Sequence, residues 1–176
     1  IRLDGDTAYL GAAVPIRRIV EDPLLSQGAS CLTQACLLIG GPQVRNVATL
    51  GGNVAHALPA GDGTIGLLAL DAEAEIATPQ GRTWYPLESI FTGPGLTTFD
   101  RSADVLVQFR FRLSQPGEAS VFERVMRPQG VAIAILNMAC WIQVDADGRV
   151  TGTRLAVGPA APKPFRARRV EQSLLG

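Results

Sequence analysis

Val47-Ala48-Thr49-Leu50-Gly51-Gly52-Asn53 is the most informative stretch of this chain, and Ala60-Gly61-Asp62-Gly63 follows it at a short interval. Two adjacent glycines allow a backbone turn that residues with a Cβ resist, and they let a ligand approach the peptide plane. Thr49 adds a hydroxyl and Asn53 an amide at the two edges of this turn. Successive backbone N–H groups in such a turn bind anions, so phosphate or pyrophosphate is the expected ligand. A tight loop between two packed elements explains the same residues equally well.

Composition excludes several classes of protein. The 176 residues are 47% hydrophobic and 18% charged, as in a globular protein, and 16 basic residues balance 16 acidic ones. Nucleic-acid binding is not expected, because it normally requires a basic excess. No apolar run approaches the roughly 20 residues that a membrane span needs, and Asp4 and Asp6 interrupt any secretory leader. Three scattered cysteines and one histidine indicate a reducing, cytoplasmic setting without a metal site in the chain.

Hydrophobic patterning predicts alternating strands and helices in two units. The first unit, 1–113, combines predicted strands with predicted helices; the strands are 7–12, 74–77, 83–86 and 105–113, and the helices 15–19, 24–39 and 64–70. Asp62 or Gly63 is the expected N-cap of the last helix. The second unit, 120–176, follows a linker-like segment; it contains predicted strands 121–126, 133–144 and 150–157, an Asp-Gly turn at 145–149, and a helix at 166–174.

Other candidate residues carry less weight. His56 lies three residues beyond Asn53 but has no carboxylate or cysteine partner nearby in the sequence, so a catalytic role is not expected. Arg166, Arg168 and Arg169 are read as a solvated face in preference to a docking patch. The glycine patterns of a Rossmann site and of a P-loop are both missing from this sequence.

Longer motifs resemble one family. Gln43-Val44-Arg45-Asn46-Val47-Ala48-Thr49-Leu50-Gly51-Gly52-Asn53-Val54-Ala55, followed by Pro59-Ala60-Gly61-Asp62, closely resembles the FAD-binding (medium) subunit or domain of molybdenum hydroxylases. That family includes carbon monoxide dehydrogenase, xanthine dehydrogenase and aldehyde oxidoreductases. The resemblance continues through segments 67–73, 90–95, 122–127 and 155–162, and so covers nearly the whole chain.

The resemblance implies a specific fold of the α+β class. Residues 1–113 correspond to the second half of a vanillyl-alcohol-oxidase-type FAD-binding domain, and residues 120–176 to a smaller C-terminal domain of sheet plus helices. The N-terminal FAD subdomain of the family, with its own glycine-rich loop, has no counterpart here. The C-terminal domain is expected to be truncated at its end. We therefore expect the chain to carry about half of a flavin site.

The resemblance also implies the cofactor, FAD, and the residues that contact it, which are Thr49, Leu50, Gly51, Gly52, Asn53, Asp62 and Leu106. Asp62 is expected on a hydroxyl or amine of the cofactor, since phosphate would repel a carboxylate, and Leu106 is expected near the flavin ring. Ile39 and Gly40 match a weaker contact region. Glu123 stands where some members carry a basic residue, so it either disfavours an anionic reduced flavin or points to solvent. No catalytic residue and no metal ligand is expected.

The implied function is electron transfer within an oxidoreductase. FAD would take electrons from iron–sulfur clusters on a small subunit, in complex with a molybdopterin-binding large subunit, and deliver them to NAD, dioxygen or a quinone. The chain is expected to be inactive alone. The alternative is a cofactor-free interaction or scaffold module that retains the fold. Glu123 and the missing N-terminal loop favour this alternative, whereas the intact residues 49–53 and Asp62 oppose it.

Overall fold

Two larger antiparallel sheets, a separate two-stranded sheet within residues 91–97, and a set of short helices make up the computed structural model, which describes residues 1–127 and 132–176. The strands within these residues are β1 (Arg2–Asp4), β2 (Thr7–Gly11), β3 (Glu73–Thr78), β4 (Gly81–Pro86), β5 (Phe91–Gly93), β6 (Leu96–Thr97), β7 (Val105–Arg112), β8 (Glu118–Val125), β9 (Leu136–Val144), β10 (Val150–Gly158) and β11 (Phe165–Arg166). The helices are α1 (Ile16–Val20), α2 (Pro23–Gly28), α3 (Ser30–Leu37), α4 (Pro42–Val47), α5 (Leu50–Ala55), α6 (Asp62–Ala69) and α7 (Arg168–Ser173), with a 3-10 turn at Leu87–Ile90.

The first sheet has the strand order β1-β2-β7-β3-β4. Phe109 in β7 is fully buried and lies between Leu10 of β2 and Ala74 of β3, so the middle of this sheet packs into the core. A β-bulge interrupts the β3–β7 ladder, because Glu75 pairs with Gln108 whereas the next residue pairs with Leu106. The strict alternation predicted for 105–113 is therefore wrong at its start, where Val105 is 61% exposed.

The predicted helix at 24–39 is two helices, α2 and α3, separated at Ala29. The cause is a long-range contact. The Gly28 carbonyl accepts a hydrogen bond of 2.7 Å from the Ser114 N–H, and a Cβ at Gly28 would lie only 2.9 Å from Leu113. This contact fixes the chain where the first sheet leads into the second.

The second sheet has the order β11-β10-β9-β8 and packs against α3 and α6. The Asp-Gly turn forms as predicted, with the Gly148 N–H donating to the Asp145 carbonyl between β9 and β10. Strand β8 is the edge of this sheet, and α3 covers it. The Gln34 side chain accepts from the Phe122 N–H at 2.8 Å, and the Ser30 hydroxyl donates to the Ser120 carbonyl. Buried apolar residues from both sheets form one continuous cluster.

Ion pairs join β11 and α7 to each other and to the acidic residues Asp71 and Glu88 outside the sheets. Arg166 pairs with Glu171 at 2.7 Å, with both side chains 9% exposed, and reaches Asp71 at the end of α6 at 2.8 Å. Arg168 pairs with Glu88 at 2.6 Å. The interpretation as a solvated face is therefore wrong for Arg166, whose side chain is 9% exposed between two acidic residues. Arg168 and Arg169 are exposed, as that interpretation expects.

The buried Glu171 carboxylate should contribute to stability in a pH-dependent way. Burial alone would raise its pKa, but hydrogen bonds from Arg166 and from the Leu155 N–H, with the charge of Arg166, lower the pKa below its usual value. A carboxyl whose pKa is lower in the folded state stabilises the protein above its unfolded-state pKa. That contribution is lost as the pH falls through the folded-state pKa.

Glu171→Gln should lower the free energy of unfolding at pH 7 by roughly 1–3 kcal/mol, because the buried Arg166 guanidinium would lose its charged partner Glu171 and keep only the exposed Asp71. The matched control is Glu21→Gln, which removes an exposed i,i+4 pair with Arg17 and should cost at most about 0.5 kcal/mol. Urea denaturation at pH 7 and pH 4 measures both. Equal effects of the two substitutions, or an unchanged acid dependence in Glu171→Gln, would contradict this account.

Candidate functional site

The glycine pair lies in the first turn of α5. Thr49 is the N-cap, and its Oγ1 accepts a 3.0 Å hydrogen bond from the Gly52 N–H. The Gly51 N–H donates to the Ala12 carbonyl at 2.9 Å. The expectation of a tight turn whose free N–H groups form an anion-binding nest is therefore wrong, since both glycine N–H groups already have acceptors in the protein.

The packing around the two glycines excludes a side chain at Gly51 but not at Gly52. A Cβ at Gly51 would lie 2.5 Å from the Ala12 Cβ and 2.6 Å from the Ala12 carbonyl oxygen, so only glycine lets α5 pack this closely on the segment after β2. Gly52 is exposed, and a Cβ there would meet only the Thr49 hydroxyl, at 3.2 Å. Leu50 is fully buried and belongs to the core, so its side chain makes no surface available to a ligand.

A surface groove runs along the exposed side of Gly52. This glycine groove has a volume of about 370 Å³, and its lining includes Thr49, Gly51, Gly52, Phe99, Arg101 and Leu106. Leu106 sits at the β-bulge of β7, where the pairing with β3 shifts. The Arg101 guanidinium is held by the carbonyls of Gly95 at 2.8 Å and Ala55 at 3.2 Å. Four predicted residues thus meet in one place, together with a cation that the sequence analysis missed.

A second cavity, the interface cavity, lies between the helices α3, α5 and α6 on one side and β8 of the second sheet on the other. Its volume is about 220 Å³, and its lining includes Ile39, Asn53, His56, Leu58, Asp62 and Arg124. The Asn53 Oδ1 accepts from the Thr64 N–H at 3.2 Å, and its amide nitrogen makes no hydrogen bond within the described residues. Asn53 can therefore donate to a ligand from this nitrogen.

Arg45 supports one wall of the interface cavity. Its Nη1 donates to the carbonyls of Leu37, Ile39 and Gly40 at 2.9, 3.2 and 2.8 Å, which satisfies the C-terminal end of α3. The turn at Ile39 and Gly40, which the family resemblance gave as a weaker contact region, therefore lies on this cavity in a fixed conformation.

Asp62 has both carboxylate oxygens occupied by residues of the second sheet. Arg124 Nη1 lies 2.7 Å from Oδ2, and Asn137 Nδ2 lies 2.7 Å from Oδ1. Burial raises the pKa of Asp62 above its usual value, and the hydrogen bonds from Asn137 and Arg124 offset only part of this rise. The N-cap of α6 is Gly61, so the predicted capping role of Asp62 is wrong. The expected contact of Asp62 with a cofactor hydroxyl or amine stays a prediction.

The sequence-predicted residues thus divide between two sites. Thr49, Gly51, Gly52 and Leu106 meet at the glycine groove, whereas Asn53 and Asp62 lie on the interface cavity. Glu123 is exposed, so it points to solvent, and its neighbour Arg124 enters the cavity instead. The alternation of β8 could have indicated this, because adjacent residues of a strand face opposite sides.

Across residues 1–127 and 132–176, no three His, Cys, Asp or Glu side chains come together as a metal site would require. No helix in these ranges has the length and apolar character needed to cross a membrane.

Known proteins are similar to this chain in sequence and in fold. Residues 1–111 match the family described as the FAD binding domain in molybdopterin dehydrogenase, and residues 120–176 match the CO dehydrogenase flavoprotein C-terminal domain. The xanthine dehydrogenase FAD-binding subunit of Escherichia coli O157:H7 is 34% identical over 93% of this chain and 56% of its own length. The carbon monoxide dehydrogenase medium chain of Hydrogenophaga pseudoflava is 28% identical over 100% of this chain and 60% of its own length.

Structural comparison agrees with the sequence matches. A carbon monoxide dehydrogenase structure from Hydrogenophaga pseudoflava superimposes with a TM-score of 0.93 at 29% identity, covering 100% of this chain and 60% of the other. The chain therefore spans less than two thirds of the length of these relatives. These matches confirm the family resemblance and the α+β fold expected from it.

The different surroundings of the two glycines lead to opposite expectations for alanine. Gly51→Ala should lower the free energy of unfolding by roughly 1–3 kcal/mol, because Ala12 and its backbone leave no room for the methyl group. Gly52→Ala should change stability by less than about 1 kcal/mol, since its side chain would face the open groove and alanine favours helix. Chemical denaturation of both variants measures this, and a larger loss in Gly52→Ala than in Gly51→Ala would contradict the packing described.

Proposed function

This chain belongs to the family of FAD-binding domains of molybdopterin dehydrogenases, and from that premise we propose that it binds FAD and serves as the electron-transfer component of a molybdenum hydroxylase. The observation that carries this proposal is the meeting of Thr49, Gly52 and Leu106 in one groove beside Arg101. These residues come from separate parts of the chain. They combine polar, side-chain-free and apolar surface, which is the combination that a dinucleotide with an aromatic ring system requires.

The donor set of the glycine groove fits FAD. The Thr49 hydroxyl accepts from Gly52, and its own hydrogen remains available for a cofactor oxygen. Gly52 allows close approach to the backbone, and the Arg101 guanidinium offers a positive charge to a diphosphate. Leu106 supplies apolar surface. Gly51 and Leu50 affect cofactor binding indirectly, because they hold α5 against Ala12 and the core.

Asn53 is the candidate donor at the interface cavity. Thr64 fixes its carbonyl oxygen, so that the amide nitrogen has a defined position on the cavity wall. An amide donor beside apolar residues such as Ile39 and Leu58 suits a polar edge of an otherwise apolar ring. Asp62 is assigned a supporting role, because its oxygens are occupied by Arg124 and Asn137.

The proposed role requires partners. When bound, FAD supplies two-electron redox chemistry, and the protein binds it, orients it and tunes its electronics. We propose that electrons come from iron–sulfur clusters on a small subunit, in a complex with a molybdopterin-binding large subunit. NAD, dioxygen or a quinone would accept them. In this assignment the chain alone has no turnover with the substrate of the complex.

FAD titration followed by flavin fluorescence tests the proposal. Gly52→Leu should weaken FAD binding at least about tenfold, a loss of roughly 1.4 kcal/mol, because the new side chain fills the glycine groove. Gln172→Leu is the matched control, since it adds the same side chain to an exposed position of α7 that lines neither site. The control should keep wild-type affinity, and thermal unfolding of both variants excludes a general loss of folding.

The same titration decides between FAD binding and the alternative role. Quenching by the wild-type chain that is lost in Gly52→Leu supports the proposed function. A folded wild-type chain that stays colourless and leaves flavin fluorescence unchanged would overturn it and support a cofactor-free interaction module. Equal affinity of wild type and Gly52→Leu would overturn the assignment of the glycine groove.

A further inference from the structure

A buried ion pair joins the start of α6 to the second sheet. The side chains of Asp62 and Arg124 are 8% and 5% exposed and lie 2.7 Å apart, although 62 residues separate them in the sequence. Asn137 of β9 is fully buried and donates to Asp62 Oδ1 at 2.7 Å and to the Ala60 carbonyl at 3.1 Å. These three residues, Asp62, Arg124 and Asn137, are called the clamp below.

The clamp joins α6 to the second sheet at a high cost in desolvation. A buried ion pair often stabilises no more than apolar residues of the same volume would, because both charges lose their hydration. Two polar atoms of the clamp, Arg124 Nε and Asn137 Oδ1, are buried without a hydrogen-bond partner in the described part of the chain. Such a network adds little net stability, but it fixes distances and angles that apolar contact leaves free.

The clamp is connected directly to the candidate binding residues. Asp62 and Thr64 belong to the same first turn of α6, and the Thr64 N–H donates to Asn53 of α5. A shift of this turn would therefore move the Asn53 side chain. Asp62 and Arg124 also line the interface cavity from its two sides, one from α6 and one from β8.

We infer that Asp62, Arg124 and Asn137 are positioning residues, which hold the second sheet against the start of α6 so that Asn53 and the two walls of the interface cavity keep the geometry for FAD. The part of this inference that concerns FAD rests on the proposed function. The clamp acts through Asn53 and the cavity walls. Its loss should therefore reduce cofactor affinity more than another buried ion pair of the same kind would.

The experiment compares substitutions at two buried ion pairs, one between α6 and β8 and the other between β11 and α7. Arg124→Met removes the positive charge of the clamp, and Arg124→Lys retains it. Arg166→Met removes the ion pair with Glu171, and neither Arg166 nor Glu171 lines the interface cavity or the glycine groove. FAD affinity is measured by fluorescence at a temperature where all variants are folded. We expect Arg124→Met to weaken FAD binding at least about tenfold, with Arg124→Lys and Arg166→Met within about threefold of wild type.

Amide hydrogen exchange provides a readout that needs no cofactor. In Arg124→Met, exchange should accelerate in residues 50–64, which include α5 and the start of α6, whereas Arg166→Met should leave this segment unchanged. Unchanged exchange at 50–64 in Arg124→Met would overturn the inference, as would equal losses of affinity in Arg124→Met and Arg166→Met. If the wild-type chain binds no FAD, the proposed function fails, and hydrogen exchange still decides whether the clamp positions α5.

Discussion

The close approach of α5 to the segment after β2 is the contact on which the rest of the site depends. With no side chain at Gly51, the Ala12 carbonyl can accept from the Gly51 N–H, and the short helix lies directly against the end of the inner strand β2. That placement exposes Gly52 on one side of the helix and directs Asn53 to the other. The glycine groove and the interface cavity are therefore two sides of one six-residue helix.

Motif order and alternation in the sequence were enough to predict the family and most of the strands. The conformation of residues 49–53 was not predictable in this way. Glycine is a poor helix former, so two glycines in six residues favour a turn. The Thr49 cap and the packing of Gly51 on Ala12 override that preference. Local helix propensity does not include the contact with Ala12, because the first sheet brings that residue to the helix.

The remaining differences have the same origin in contacts between distant residues. The break at Ala29 depends on Ser114, and the bulge that shifts Leu106 depends on the register with β3. Asp62 is predicted to be a helix cap from the local sequence alone, and a cofactor contact from the family resemblance. Its actual partners, Arg124 and Asn137, lie on two strands of the other sheet. No periodicity within α6 indicates them.

The covering of β8 by α3 restricts how other chains can attach to the second sheet. Backbone groups at the edge of a sheet normally offer a template on which a foreign strand can pair. Here the Ser120 carbonyl and the Phe122 N–H are occupied by Ser30 and Gln34. Strand addition at this edge would first have to displace α3 from its place. A protein that docks at this side of the sheet would therefore contact side chains or loops, where complementary shape decides which partner fits.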